Sequence, residues 1–349
     1  MKKNAQTGMK KLWIVLSCVA VALLVITVAA AVVVDSFLNR IGRFDGDEAT
    51  YSPEQLESML ATGGDETVDA TFPGIPADLI IPDENVVNIL LVGQDRREGQ
   101  PRSHSDATIM CTINKKTKTL TMTSFMRDMW VEIPGYYPQR INTTYMINGF
   151  ELLNDTLEHN FGIRSDHNIE VDFSGFMNAI DLVGGIDIEL TEKEAKYLNR
   201  RGNWEVEDNA YTWNLKEGVN HLNGSQACAY SRIRDIGDDF ERTSRQRTVL
   251  MEMVEQAKNL NVIELYELVK EIAPLLTTDM TNSEILGYAV AFAPILSELE
   301  IVSQRIPMDG HYSFAEIDGN YVIVLSEKNY EASRKLLADT VTAEASTDQ

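Results

Sequence analysis

A chain of 349 residues with a formal net charge of −22 presents a field that repels phosphate backbones, which excludes nucleic acid as a partner. An apolar fraction of 44% with 24% charged residues is the balance of a folded protein, and three cysteines exclude a scaffold built on disulfides. Cys111 and Cys228 stand in apolar contexts and read as small buried hydrophobes, with pairing outside the cell as the alternative.

Trp13 to Val34 is a run of 22 residues without a charge, long enough to span a bilayer as a helix. Lys2, Lys3, Lys10 and Lys11 precede it and Asp35 follows, which predicts a single-pass anchor in the cell membrane. Residues 1–12 then lie in the cytoplasm and the bulk of the chain outside. The run exceeds the apolar core of a cleaved signal peptide. Residues 35–84 hold twelve Asp or Glu against two Arg and read as an acidic, solvated linker with one short helix over 53–60. A folded domain is expected over 85–338 and a disordered tail over 339–349.

Within the domain, Val86–Val92 is a nearly continuous apolar run ending in Gly93, the pattern of a strand buried on both faces. Strands over 107–113 and 120–125 flank a polar turn and form a hairpin. A helix is expected over 142–161, then a strand over 169–173, with Ser174 capping the next helix. Gly184-Gly185 stops that helix. A strand over 186–190 leads into Thr191-Glu192-Lys193-Glu194, a capping box. The polar stretch 199–216, dotted with Trp204, Tyr211 and Trp213, reads as a loop; its rings either stack on sugars or pin the loop to the domain. Helices over 243–259, 261–275 and 283–297, strands over 300–305 and 321–325 and a helix over 327–337 complete an α/β layered domain.

Four clusters carry candidate chemistry. Gly93-Gln94-Asp95-Arg96 stands at the carboxyl end of the first buried strand, where open α/β sheets bind ligands. Ser105-Asp106 opens the second strand and Arg127-Asp128 follows the third. The fourth is Ser231-Arg232-Ile233-Arg234 with Asp239, Arg242, Arg245 and Gln246 behind it. If extended, Arg232 and Arg234 share a face; Arg242, Arg245 and Gln246 share one helical face. Arginine forks bind phosphate oxygens, and aspartates beside phosphate suit Mg²⁺. Surface salt bridges are the plainer explanation of any one of these pairs. The five histidines show no metal-ligand spacing.

These residues resemble the LytR-CpsA-Psr family. The resemblance rests on Ile89-Leu-Leu-Val-Gly-Gln-Asp-Arg-Arg, Ser105-Asp106-Ala-Thr-Ile-Met, Thr123-Ser-Phe-Met-Arg127-Asp128, Arg140-Ile-Asn142, Val171-Asp-Phe-Ser-Gly-Phe, Val183-Gly-Gly-Ile-Asp, Leu222-Asn-Gly-Ser-Gln-Ala, Tyr230-Ser-Arg-Ile-Arg and Arg242-Thr-Ser-Arg-Gln. Each motif is weak alone; nine in order over about 85–260 are specific. The sequence departs from the family at His104, where an arginine is common, and at Met126, where a proline is frequent.

The resemblance implies an αβα sandwich with a mixed central sheet and an apolar tunnel for a polyprenyl chain. Phe150, Leu153, Leu157, Phe176 and Ile180 are candidates to line that tunnel, although apolar residues at helical spacing are usually core. It implies a ligase moving a teichoic acid or capsule-like glycopolymer from polyprenyl pyrophosphate onto peptidoglycan, with Mg²⁺ as cofactor. Asp95 and Asp106 resemble the metal ligands. Arg96, Arg127, Arg232, Arg234, Arg242 and Gln246 resemble the pyrophosphate-binding set, and Asp95 with Arg127 the catalytic pair. The alternatives are a polyprenyl-pyrophosphate hydrolase and a non-enzymatic envelope regulator.

Overall fold

The computed structural model of the chain describes residues 38–44, 72, 79–80, 82–94, 102–200, 213–260, 262–317 and 319–342. The expected membrane anchor at 13–34, the short helix at 53–60, and Asp95 and Arg96 lie outside the described residues. Among the described residues, no helix is long and apolar enough to cross a membrane.

In chain order the strands are β1 (Gly42–Arg43), β2 (Val86–Gln94), β3 (Ser105–Asn114), β4 (Thr119–Phe125), β5 (Met129–Val131) and β6 (Gln139–Arg140). Helix α1 (Ile141–Phe161), β7 (His167–Asp172), α2 (Phe173–Leu182), β8 (Ile186–Leu190), α3 (Glu192–Leu198), β9 (Gly218–Leu222) and α4 (Gly224–Ser231) follow. The chain continues through α5 (Asp239–Lys258), α6 (Val262–Ile272), β10 (Leu276–Thr278), α7 (Asn282–Phe292), β11 (Glu300–Ile306), β12 (Tyr312–Ile317), β13 (Asn320–Leu325) and α8 (Glu327–Val341).

The main sheet runs β1-β10-β7-β2-β3-β4-β11 among the described residues. β2, β3 and β4 pair antiparallel, while β7 joins β2 and β11 joins β4 in parallel, so the sheet is mixed. Alternation along each strand gives it two apolar faces. Leu90, Val92, Met110 and Phe125 pack beneath α1 and α8 with Tyr145, Leu153, Phe161, Tyr330 and Leu337. Ile109, Leu120 and Met122 face the other way, against Leu250, Met251 and Val254 of α5. The result is helix on sheet on helix, the expected layering. A second sheet, β12-β13-β5-β6, packs Trp130, Ile317 and Val322 together at its side.

Local signals account for most boundaries. The Thr191–Glu194 capping box opens α3 as expected, and Gly184 and Gly185, at φ 93° and 88°, take the left-handed turn after α2. Helix α2 is capped by Asp172, whose side chain accepts from the Gly175 amide, instead of Ser174; the helix therefore starts two residues earlier than its motif suggests. The expected linker also needs correction. Leu38 and Ile41 are buried against Ala273, and β1 pairs with β10, so part of 35–84 belongs to the folded domain. Helix α8 runs to Val341 because Val341 is buried in the core, which moves the start of the tail past 339. Trp213 packs on the core formed by β8, α3 and α4, the pinning alternative of the two open for that loop; Trp204 and Tyr211 lie outside the described residues. Cys228 is buried and Cys111 half-buried, neither is in a disulfide among the described residues, and burial pushes the Cys111 thiol up to about 12.

Candidate functional site

The carboxyl end of β2, the start of β3 and the end of β4 meet at one edge of the main sheet. β2 and β3 run antiparallel, and the register pairs Gly93 with Ala107 and Gln94 with Ser105. The register slips between Gly93 and Gln94, a bulge of the kind that re-aims chains beside functional sites. Asp106 therefore emerges beside Gln94, where the described part of β2 ends. Arg127 leaves β4 at the same edge, and the first turn of α5 brings Asp239 and Arg242 over it.

Arg127 is the hub. Its Nη1 lies 3.0 Å from Asp106 Oδ1, its Nε 3.5 Å from Asp128 Oδ2 and its Nη2 3.4 Å from Asp239 Oδ1. Burial opposes its charge, but Asp239, Asp128 and Asp106 outweigh that and hold its pKa above the ordinary arginine value. Arg242 Nη2 is 2.7 Å from Asp239 Oδ1 and its Nη1 3.9 Å from Asp106 Oδ1. Arg234 approaches Asp106 at 3.7 Å, and Arg140 approaches Asp128 at 3.4 Å. Four guanidinium groups thus face three carboxylates, leaving local positive charge in a chain of net charge −22. Burial, and then Arg127 and Arg242, lower the pKa of Arg234, so the cations crowd one another. His104, pressed by burial and by Arg140, has its pKa lowered and is neutral at pH 7.

The donors are not used up. Arg242 is 2% exposed, yet its Nε is buried without a partner among the described residues, and its Nη2 and Arg127 Nε, though ion-paired with Asp239 and Asp128, make no well-aligned hydrogen bond there. Buried N–H groups left unmade cost about 1–3 kcal/mol each, so their persistence calls for a ligand rich in acceptor oxygens. Beside them opens a narrow apolar cavity of about 60 Å³ lined by Leu91, Ile109, Phe173, Phe176, Gln246 and Leu250, with Asp106 also on its wall. It lies between the sheet and α5. Of the five tunnel candidates, only Phe176 reaches it. Phe150, Leu153 and Leu157 fill the core under α1, and Ile180 the core under α3 and α4.

The structure sorts the sequence motifs further. Ser231–Arg234 is not extended. Asn223 and Gln226 form a capping box that starts α4, and Arg232 ends it at φ −103°, ψ 0°. The two arginines consequently diverge. Arg234 joins the cluster, whereas Arg232 lies exposed with its guanidinium carbon 4.5 Å over the Phe173 ring, at the cavity wall. Arg242, Arg245 and Gln246 occupy one arc of α5, but each meets a different neighbour. Arg245 donates through Nε to Glu194 Oε1 at 2.7 Å and is structural. Asp128 and Asp239, which the resemblance does not assign to the site, are inside it; the i, i+3 spacing of Asp239 and Arg242 is the sequence signal.

Asp106 offers the hard oxygen ligands that Mg²⁺ prefers. Among the described residues no group of three or more His, Cys, Asp or Glu is placed to hold a metal. A cation at Asp106 would complete its shell with phosphate oxygens and water, which is how Mg²⁺ commonly binds.

The family model described as the LytR_cpsA_psr family matches residues 59–339. The chain belongs to the LytR_cpsA_psr family. It is 27% identical over 263 residues to the regulatory protein MsrR of Staphylococcus aureus (strain COL), covering 74% of this chain and 76% of MsrR. It is 29% identical over 229 residues to the polyisoprenyl-teichoic acid–peptidoglycan teichoic acid transferase TagU of Bacillus mycoides (strain KBAB4), covering 64% and 70%. Its fold resembles that of B. subtilis TagT. The TagT structure bound to LIIa-WTA has a TM-score of 0.61 at 24% identity, covering 76% of this chain and 94% of that one. The structure with bound octaprenyl pyrophosphate lipid has a TM-score of 0.56 at 23% identity, with the same coverage. Membership of the LytR_cpsA_psr family and the α/β architecture with a mixed sheet are thereby established, as the motifs implied.

Proposed function

We propose that this protein transfers a glycopolymer from a polyprenyl pyrophosphate to a hydroxyl of peptidoglycan. The observation that carries the reading is the cluster of buried arginines, with Arg242 Nε left without a partner among the described residues, at the edge of a narrow apolar cavity. A pyrophosphate supplies acceptor oxygens to the arginines, and its lipid tail supplies apolar surface to the cavity. The activity in TagU's name and the lipid seen in TagT support this reading.

The chemistry is a displacement at the phosphorus that carries the glycan. The acceptor hydroxyl oxygen forms the new phosphorus–oxygen bond, the bond to the lipid-side phosphate breaks, and polyprenyl phosphate leaves. Arg127 and Arg242 hold the charged oxygens throughout, so their stabilisation is already in place when charge shifts onto the leaving phosphate. Arg234 and Gln246 close the phosphate side, and Arg96 is proposed to join them. Asp106 with Asp95 would hold Mg²⁺, which would neutralise phosphate charge. Asp95 is the proposed acceptor of the hydroxyl proton. Arg232 shields the cavity wall through Phe173.

Two expected outcomes test this. Mass spectrometry of the full-length protein in detergent should show bound polyprenyl phosphate, and Asp106→Ala or chelation of Mg²⁺ should abolish turnover without shifting Tm. Protein that carries no lipid and fails to bind added octaprenyl pyrophosphate defeats the proposal. The proposed anchor at 13–34 has its own measurement: a reporter fused after Gln349 should be active outside the cytoplasm, and activity inside it refutes the topology.

A further inference from the structure

The β12–β13 hairpin flanks the site. β13 runs parallel to β5, pairing Ile323 with Met129, and the Ile323 amide donates to the Asp128 carbonyl at 2.8 Å. Tyr321, two residues earlier, therefore lies past the end of β5 on the side where Asp128 and Arg127 enter the cluster. The register pairs Tyr312 with Leu325, Phe314 with Ile323 and Glu316 with Tyr321. Alternation along both strands then places Tyr312, Phe314, Glu316 and Tyr321 on one face.

Helix α5 joins that face through Phe240, the residue after Asp239. Phe240 stacks on Tyr312 with centroids 5.6 Å apart and meets Phe314 edge-on at 6.3 Å. Arg305 lies 4.4 Å over the other side of Phe240 and pairs with Asp309. Phe314 is 65% exposed and Tyr321 75% exposed. Large rings left in water beside a polar site mark a binding surface. Here the rings are bordered by a carboxylate, a phenol and a guanidinium, which are hydrogen-bonding groups suited to hydroxyls. A pyranose has matching surfaces: an apolar C–H face for the rings and equatorial hydroxyls for the border.

We propose that this hairpin binds the acceptor saccharide, seating one sugar ring on Phe314 and Tyr321. The inference rests on the transferase reading above and adds the acceptor subsite to it. Arg127 touches Asp106, which borders the apolar cavity, and also Asp128 and Asp239, which border the hairpin. The leaving lipid phosphate belongs on the cavity side. A near in-line displacement brings the attacking hydroxyl from across the phosphorus, and so from the hairpin side.

The test uses full-length protein in detergent with a polyprenyl pyrophosphate-linked saccharide as donor and muramidase-released peptidoglycan oligosaccharide as acceptor. Phe314→Ala and Tyr321→Ala remove exposed rings, so Tm should hold. The acceptor KM should rise about tenfold in each variant, as the loss of one well-packed aromatic contact implies. The donor KM and the binding of octaprenyl pyrophosphate should not change. Direct binding of the oligosaccharide, measured by calorimetry, should weaken in parallel. An unchanged acceptor KM with unchanged oligosaccharide binding overturns the subsite while leaving transfer standing. A raised donor KM alone assigns the rings to the donor glycan and also overturns it. Wild-type protein that binds the lipid pyrophosphate, releases its phosphate to water and never joins it to the oligosaccharide overturns the transferase reading itself.

Discussion

Arg127→Lys should lower polymer transfer by at least about tenfold, the cost of losing one charge-assisted hydrogen bond of roughly 1.5–3 kcal/mol, with little change in Tm. The guanidinium of Arg127 reaches Asp106, Asp128 and Asp239 through three different nitrogens. A lysine keeps the charge but concentrates it at one point, so it cannot span the three carboxylates and a phosphate together. Arg242→Lys should behave alike, because the fork of Arg242, which pairs with Asp239 through Nη2 and leaves its buried Nε open, has no equivalent on an ammonium. The same change at Arg232 should be mild. Arg232 is exposed and touches the Phe173 ring, a contact worth about 0.5–1 kcal/mol, so transfer should fall only about two- to fivefold. Parallel measurement of Tm and transfer on the three variants checks this; equal losses at Arg127 and Arg232 would show that the cluster around Asp106 is not where phosphate binds.

Arg245→Ala should instead cost stability, about 3–5 kcal/mol, since it strands a buried carboxylate. Glu194 is 8% exposed, accepts from Arg245 Nε, and closes the Thr191 capping box of α3. Burial would raise its pKa, but the Thr191 amide and Arg245 outweigh that and hold it below the ordinary glutamate value. Its contribution to stability is therefore present above the unfolded carboxylate pKa and lost as the pH falls through the lowered folded value. In Arg245→Ala the pH dependence in that acid range should shrink along with the denaturation midpoint. The protein that remains folded should transfer normally. A stable Arg245→Ala variant that fails to bind octaprenyl pyrophosphate would place Arg245 in the site.

The sheet was legible because its signals are local. Val86–Val92 is apolar but for Asn88 since the strand is covered on both faces, and the Thr191–Glu194 box is a four-residue pattern. Elements with less to bury were harder to read. Strand β12 is largely exposed, and its aromatic residues serve a surface instead of a core. Strand β9 and helix α4 follow a polar stretch and carry few large apolar residues. Within the site, the residue types were legible but not their partners. Nothing local separates Arg242 from Arg245; that distinction depends on whether Asp239 or Glu194, 51 residues before Arg245, lies across from each. Arg232 would share a face with Arg234 only if the segment were extended, and a capping box at Asn223 makes it the end of a helix instead.

The docking of Leu38 sets a mechanical limit. On the proposed anchoring, the membrane helix ends at Val34, and four residues later the chain is already packed against Ala273. Four residues reach at most about 14 Å when fully extended. On that anchoring, a leash that short would keep the domain on the bilayer surface, with the β1 edge of its sheet nearest the lipid. The proposed lipid carrier would need only to rise out of the headgroups to enter the cavity. The glycan strand, by contrast, would have to come down to the membrane, so the protein would work only on the innermost layer of the wall.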